Sequence, residues 1–591
     1  QRDFGVAGTR GTIYSSDGTV LAQDIPATSV VVVPSQIEDP EHAAKQLADI
    51  LEADEQALYE KLTRKQSTQK LQPEGRLIND EQADAIEALE LQGVYLVQDS
   101  LRYYPRGDYL GQVLGFTGID NQGLAGLELQ YDELLKAQQG SLKIPLDAKG
   151  NHVTLLQETY EASGSGMDLT LTIDANIQDI MEREMRNLMK RYKPQRALAL
   201  AMDPNTGAIL GMVSQPGFDP NHYDEYEQET INQNLPVWMS YEPGSTFKSV
   251  TFASALELDL FDMFTDTYND RGYEIVGGAR IKSWRAGGHG LQTFLQGLEN
   301  SSNPGFVEIS RRMGTERLYE YVKKFGFGEK TGVDLPGESA GIMFDLEEMG
   351  ELETATVAFG QGLAVTPIQL VTAFSAIVNG GTLYTPYITQ SFSDPISKDV
   401  IVQSEPAAKR RVISEETSEK MRYALESVVA NGGGRNAYIE GYRIGGKTGT
   451  AQKAVDGAYL PNEYILSFLS AAPMEDPQIV LYVAVDAPQN DVQYGGTVVA
   501  PVVKAMYEDI LPYLGIEKTD EQLPKKLVWP ETEAIVTEDF IGKKRSEVQQ
   551  EGVIFEFFGE GDTVIDQLPR GGVTLNESGR VWIYLGEDTF E

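Results

Sequence analysis

The residues with the clearest capacity for chemistry are Ser245 and Lys248, in the run Tyr241-Glu242-Pro243-Gly244-Ser245-Thr246-Phe247-Lys248. Pro243-Gly244 reads as a turn, and Phe247, Val250, Ala255 and Leu256 then suit a helix with one buried face. Ser245 falls at or beside the start of that helix, with Lys248 three residues on and on the same side. A serine hydroxyl is a poor nucleophile until a neighbour takes its proton. A lysine amine can do so once burial or nearby cations lower its pKa. Amide dipoles at a helix start also favour the negative charge that develops when a carbonyl is attacked. Ser-x-x-Lys recurs at Ser67-Thr68-Gln69-Lys70, inside a polar run without an apolar face, where a solvated loop is expected.

Other short patterns follow. Asn300-Ser301-Ser302-Asn303-Pro304-Gly305 places a hydroxyl and an amide two residues apart, at Ser301 and Asn303. In most proteins such a pair is an ordinary turn. Gly441 to Thr448 fits the phosphate-binding expression Gly-x4-Gly-Lys-Thr, which requires a strand before it and a long helix opening at its Lys-Thr. Here the following Lys453-Ala454-Val455-Asp456-Gly457-Ala458 is polar and turn-like, and 464–471 and 479–487 read as strands. A strand–loop–strand meander is predicted, not a nucleotide site. Lys-Thr-Gly itself occurs twice. Lys330-Thr331-Gly332 lies in a glycine-punctuated loop, whereas Lys447-Thr448-Gly449 follows Ile444-Gly445-Gly446. Small residues there would let a substrate backbone lie along a strand edge, so the second copy is taken as functional.

These groups need a framework. Residues 169–173 read as a strand and 177–192 as an amphipathic helix; 197–202 and 208–213 form a hairpin about Asp203-Pro204-Asn205-Thr206-Gly207. An α/β arrangement with mixed connections is predicted around Ser245. Further upstream, Asp17-Gly18 signals a hairpin, four consecutive valines at 30–33 a short buried strand, and 41–62 and 79–91 helices. No catalytic constellation is visible in this first part, which reads as an α+β spacer or docking module.

With 591 residues the chain exceeds one core, and three or four domains are expected. Its formal charge of −40 argues against nucleic acid and against an anionic membrane surface as partners. There is no cysteine, which excludes disulfides and zinc–thiolate sites. The four histidines (His42, His152, His222, His289) show no paired spacing, so no metal is expected. No run approaches the roughly 18–20 apolar residues of a membrane span. Since Gln1 is not a natural start, either the protein is soluble or an anchor precedes residue 1.

Ser245-x-x-Lys248, Ser301-x-Asn303 and Lys447-Thr448-Gly449, in that order, resemble the triplet of the penicillin-binding proteins and serine β-lactamases, the very families for which this motif set is the standard illustration. Phe359-Gly360-Gln361-Gly362 through Leu370 is similar to the family's stretch between the second and third motifs. Arg10-Gly11 through Ala22, with Gly126-Leu127-Glu128, resembles the pedestal of the class B, monofunctional enzymes, and no glycosyltransferase domain is seen. After a charged, proline-containing linker, the C-terminal segment resembles one PASTA module, with a short helix near 544–551 and a last strand at 581–585. Asp3-Phe4-Gly5 spells a kinase tripeptide but has no room upstream for a kinase, so it is read as coincidence.

The resemblance implies a multidomain α+β fold: an N-terminal pedestal or dimerisation-type domain (1–165), a β-lactamase-like transpeptidase domain with an antiparallel sheet and helices (166–515), a linker (516–530) and a PASTA module (531–591). It also implies acyl transfer without metal or organic cofactor. Ser245 would attack the carbonyl between the terminal D-alanines of a peptidoglycan stem peptide, with Lys248 as base and Ser301 as proton relay. Asn303 would hold the peptide amide and Lys447 supply positive potential. Thr448, Gly449 and Thr450 would form the carboxylate site, and the Ser245 and Thr450 N–H groups the oxyanion hole. β-Lactams would acylate the same serine. A partner glycosyltransferase, division or sporulation duty, and a place on the extracytoplasmic face of the bacterial membrane, held by an anchor upstream of residue 1, are implied as well. The alternatives are a D,D-carboxypeptidase or β-lactamase that hands the acyl group to water, and a non-catalytic sensor of muropeptides or β-lactams.

Overall fold

Alternation along two strands fixes the centre of the molecule. In Arg196–Met202, Leu198, Leu200 and Met202 enter one apolar core while Ala197, Ala199 and Ala201 enter another. Ile479–Asp486 repeats the rule, with Val480, Tyr482 and Ala484 on the first side and Ile479, Leu481, Val483 and Val485 on the second. The two strands are neighbours in a five-stranded antiparallel sheet of order Ile209–Gln215, Arg196–Met202, Ile479–Asp486, Ala458–Ala472, Gly445–Val455. The alanine side accepts the helices Ala175–Tyr192 and Ala500–Tyr513. The other side carries Lys248–Glu257, Pro367–Val378 and Glu415–Asn431.

The structure is a computed structural model and describes residues 2–6, 8–136, 140–144, 159–161, 164–455, 458–489, 493–526, 536–550, 553–573, 575 and 580–587. It falls into two compact units, Gln1–Lys525 and Lys526–Glu591.

The helix Lys248–Glu257 departs from the expectation of one buried face. Every residue from Lys248 to Leu256 is buried, because helices Asn303–Met313, Pro367–Val378 and Glu415–Asn431 enclose it. Polar groups on a helix covered on all sides are costly unless satisfied: Ser249 Oγ and Thr251 Oγ1 are buried without a hydrogen-bond partner, whereas Lys248 has three acceptors.

Upstream, the hairpin at Asp17-Gly18 is present, with Gly18 at φ 84° and Ile13 opposite Ala22. The valine run is the end of a much longer strand, Val20–Val32, paired along its length with Val94–Tyr103. The stretch 41–62 is two helices, Pro40–Leu51 and Glu55–Leu62, broken where Glu52 turns left-handed (φ 51°) and Asp54 caps the second. The expected helix over 79–91 is shorter, Asp80–Ala88, opened by an Asn79–Gln82 capping box. The decoy lysine is not in a solvated loop: Gln69–Lys70 forms a short strand against Val31–Val32.

Two features tie this part to the rest. Asp168–Leu171 pairs in parallel with Ile13–Tyr14 and antiparallel with Thr389–Ser393, so one sheet runs from the beginning of the chain into its fourth hundred residues. Glu128, fully buried, accepts from Arg10 Nε (2.6 Å) and Arg102 Nε (2.7 Å), while Arg10 also reaches Asp132 (2.7 Å) and Arg102 reaches Asp24 (3.3 Å). Removing one member of such a buried ionic cluster costs about 3–5 kcal/mol, because the partner's charge is left uncompensated. The Arg10-Gly11 and Gly126-Leu127-Glu128 signatures thus meet in one cluster.

The C-terminal unit has a three-stranded sheet. Ile554–Phe558 runs parallel to Arg580–Gly586, which is antiparallel to Thr563–Leu568. Val581, Ile583 and Leu585 face its core with Phe540 and Val564, and Trp582 and Tyr584 face out. Where a short helix was expected near 544–551 there is one 3-10 turn, Arg545–Glu547; residues 551–552 lie outside the described set.

Candidate active site

Ser245 sits in a 3-10 turn, Gly244–Thr246, that leads directly into the buried helix starting at Lys248. The turn is held from behind by a glycine no other residue could replace without movement. The Gly244 N–H donates to the Gly360 carbonyl (3.0 Å), and a Cβ on Gly360 would lie 2.1 Å from the Gly244 carbonyl oxygen. Gly360 is also left-handed, at φ 87°. Two residues on, the Gly362 N–H donates to Glu242 Oε1 (2.8 Å), which fixes the chain entering the turn.

Lys248 and the second motif meet at the base of this turn. Lys248 Nζ donates to the Ser301 carbonyl (2.7 Å), to Asn303 Oδ1 (2.8 Å) and to Ser301 Oγ (3.2 Å). Lys447 Nζ reaches the same Ser301 Oγ from the other side (3.0 Å) and its own neighbour's carbonyl, at Thr448 (3.2 Å). Ser301 has φ 54°, a conformation a serine adopts at a cost and which points to a constrained role. Asn303 opens the helix Asn303–Met313, whose N-cap Ser302 accepts from the Gly305 N–H (3.3 Å).

Both lysines are fully buried, and burial disfavours the charged form. Burial pushes the Lys248 pKa well below the ordinary lysine range, and the charge of Lys447 pushes in the same direction; Asp270 opposes them. Burial alone brings Lys447 down to about 7. Burial thus disfavours the proton on both amines, and the charge of a second lysine adds to it at Lys248.

Lys447, Thr448, Gly449 and Thr450 lie on Gly445–Val455, the strand at one end of the central sheet. Lys447 and Thr448 are in mid-strand rather than opening a helix, which disposes of the phosphate-loop reading. A Cβ on Gly449 would meet Ser467 Oγ at 2.4 Å and Thr246 Cγ2 at 3.0 Å. The strand therefore approaches the Ser245 turn closely only because residue 449 has no side chain. Thr448 and Thr450 are half-buried, and Thr450 Oγ1 accepts from the Gly495 N–H (3.4 Å). By contrast Lys330 is exposed, and the Thr331 and Gly332 N–H groups donate to the buried Glu338 carboxylate (2.6 and 3.2 Å). That copy of Lys-Thr-Gly closes a structural loop.

Hydrogen bonds thus join Lys248, Ser301, Asn303 and Lys447, and close packing sets the Ser245 turn beside Gly449 and Thr450. Among the described residues no cluster of three or more His, Asp or Glu side chains is placed to hold a metal ion, and no helix is long and apolar enough to cross a membrane. Sequence reasoning missed three contributors. Gly360 stood in a stretch that had been singled out, but its role depends on a contact with Gly244. The Gly432-Gly433-Gly434 run and the Gly495-Gly496 pair flank Thr448, with a Cβ on Gly433 3.3 Å from Thr448 Oγ1; clustered glycines were the signal. Asp270 had none.

Comparisons with known proteins identify the family. The family model for the penicillin binding protein transpeptidase domain matches residues 197–508, and that for the penicillin-binding protein dimerisation domain matches 6–171. The chain is 49% identical over 581 residues to stage V sporulation protein D of Bacillus subtilis, covering 98% of this chain and 90% of that protein. It is 31% identical over 524 residues to peptidoglycan D,D-transpeptidase FtsI of Escherichia coli K12, covering 87% and 85%. The crystal structure of penicillin binding protein 2X from Streptococcus thermophilus shares the fold, with a TM-score of 0.70 at 23% identity over 99% of this chain and 91% of that one. The chain belongs to the class B penicillin-binding proteins, the serine-type peptidoglycan D,D-transpeptidases of the cell envelope that also bind β-lactams.

Proposed function

We propose that Ser245 carries the acyl group, Lys248 takes its proton, and Ser301 relays that proton under the field of Lys447. The observation that carries this reading is the single Ser301 hydroxyl shared by two buried lysines, at 3.2 and 3.0 Å. A neutral amine has two hydrogens, and for Lys248 the Ser301 carbonyl and Asn303 Oδ1, at 2.7 and 2.8 Å, take them up. Its lone pair is left for a hydroxyl proton.

Ser245 Oγ then bonds to the carbonyl carbon between the terminal D-alanines, and its proton passes to Lys248. Helix-start amides and the Ser245 and Thr450 N–H groups stabilise the oxyanion. The C–N bond breaks as the proton reaches the departing D-alanine nitrogen through Ser301, leaving an ester on Ser245. An amine of a neighbouring stem attacks that ester, forming the cross-link and returning the hydroxyl to Ser245. Asn303 holds the donor peptide's amide; Thr448, Gly449 and Thr450 receive its carboxylate, balanced by Lys447.

Transfer to an amine rather than water is favoured by what surrounds the lysines. Their hydrogen-bond partners are carbonyls, a hydroxyl and an amide, with no carboxylate among them. Water attack on the ester then lacks a carboxylate base hydrogen-bonded to the lysines, and general-base help of that kind is typically worth about 10²–10⁴-fold. At the level of the cell, likeness to a stage V sporulation protein supports duty in sporulation, with a glycosyltransferase as partner and the extracytoplasmic face of the membrane as the place of action forming part of the same proposal. Residues 531–591 are read as a PASTA module, 516–530 as the linker and 1–165 as the pedestal.

The test is intact-mass spectrometry after a short penicillin pulse and removal of free drug. The wild type and Ser67→Ala should hold the added mass for many minutes, and Ser245→Ala should never gain it. Prompt return to the unmodified mass with continued drug consumption would make the protein a hydrolase, and a labelled Ser245→Ala would remove the nucleophile assignment.

A further inference from the structure

Asp270 touches neither the nucleophile nor either lysine through a hydrogen bond, yet it is completely buried. Its Oδ2 accepts from Ser302 Oγ (2.8 Å) and Ser283 Oγ (3.0 Å), and its Oδ1 from the Gly272 N–H (2.9 Å). Gly288, at φ 76°, closes over it, since a Cβ there would lie 2.6 Å from Oδ1 and 2.2 Å from the Asp270 carbonyl oxygen. A buried carboxylate with three donors and a glycine lid is a built feature. Its two hydroxyl partners come from the two segments that hold the second motif.

One arm is Ser302, the residue between Ser301 and Asn303 and the N-cap of the helix that Asn303 opens. The other is Ser283, next to Lys282, whose carbonyl accepts from Asn303 Nδ2 (3.3 Å). With that nitrogen engaged, the amide must turn Oδ1 towards Lys248. Both arms end on the same carboxylate oxygen. We infer that Asp270 is a positioning residue for acylation, clamping Ser301 in its left-handed conformation and Asn303 in its amide orientation so that both meet Lys248. This rests on the roles proposed above for Ser245, Lys248 and Ser301.

Two consequences separate the clamp from a merely structural bond. Loosening it should slow acylation of folded protein, since a displacement of about 1 Å in a catalytic group can cost on the order of 10²-fold. The charged groups acting on Lys248 are Lys447 and Asp270, the remaining neighbours being Ser301, Asn303 and the Phe306 ring. Asp270 favours the protonated amine. Its neutralisation should therefore move the acid limb of the acylation rate to lower pH, while Ser302→Ala, which keeps the charge, should leave that limb in place.

The experiment measures the second-order rate of labelling by fluorescent penicillin, per acylatable site, as a function of pH. The expected result is a fall of at least tenfold for Asp270→Asn and Ser302→Ala, a few-fold fall for Ser283→Ala, and a lower-pH limb for Asp270→Asn alone. Rates within twofold of the parent in Ser302→Ala, or a slowed Asp270→Asn whose limb has not moved, overturn the inference. If Asp270→Asn does not fold, the two serine variants decide it by rate. Ser245→Ala run alongside keeps the questions apart. Labelling there would overturn the site itself, whereas a silent Ser245→Ala with parental rates at 270 and 302 overturns only the clamp.

Discussion

Two lysines at about 3 Å from one hydroxyl cannot both keep a proton at low cost in a buried site, and the division of labour between them follows from which one is relieved. On the proposal that Lys248 is the neutral partner, Lys447 is the cation that depresses it. Lys447→Ala should then do two things: slow acylation by on the order of 10²-fold or more, the scale of losing a positioned electrostatic group, and raise the pKa of Lys248. The acid limb of the rate should move to higher pH, opposite in sign to the change expected at Asp270. Lys330→Ala, at an exposed loop position, should acylate within twofold of the parent. Stopped-time labelling from pH 5 to 9 reads both effects, and equal losses at the two lysines would mean that the wrong copy was chosen. The residues legible in the sequence were those whose type the chemistry dictates at short spacing: Ser245 and Lys248, Ser301 and Asn303, and Lys447. Asp270 was not legible because its meaning lies in partners 13 and 32 positions away, and a lone aspartate before Arg271-Gly272 looks like any turn residue.

Elements follow a similar division. The Asp203–Gly207 turn with its flanking runs, and the stretches 464–471 and 479–487, marked strands of the central sheet, and Asp17-Gly18 marked the first hairpin. The break at Glu52 escaped, since a glutamate in a left-handed conformation carries no sequence mark. So did the burial of Lys248–Leu256 on every side, which depends on helices from later in the chain. The turn bearing Ser245 is likewise defined from a distance, by Gly360. Gly360→Ala must push its methyl into the Gly244 carbonyl while adopting φ 87°, a strain of about 1–3 kcal/mol before the clash is counted. It should lower the melting temperature and slow acylation of the folded fraction by more than tenfold. Calorimetry with active-site titration separates the two. A variant of parental rate would show that the turn keeps its shape without that contact.

At the scale of the molecule, Lys526–Glu591 is a compact unit with its own apolar core about Phe540, Val564 and Ile583. A chain ending at Lys525 should acylate at the parental rate and melt in one transition fewer; a large drop in rate would show that the site depends on the C-terminal unit. The beginning of the chain is not separable in that way. Tyr131 OH donates to Asp334 (3.1 Å) and accepts from Thr389 (3.0 Å), and Lys398 meets Asp168 (2.8 Å) across the sheet that joins Asp168–Leu171 to Thr389–Ser393.

That seam sets a timetable for biosynthesis. A ribosome must add the 225 residues from Asp168 to Ser393 before the two strands can pair, which at about 5–20 residues per second is roughly 10–45 s. Through that interval the nascent chain carries an open strand edge at Asp168–Leu171, a template for wrong pairing with other chains. Nascent chains halted just short of residue 389 should be cut by protease near Asp168, and chains halted well past Gln403 should resist. Equal sensitivity would mean that the early part closes without its late strand.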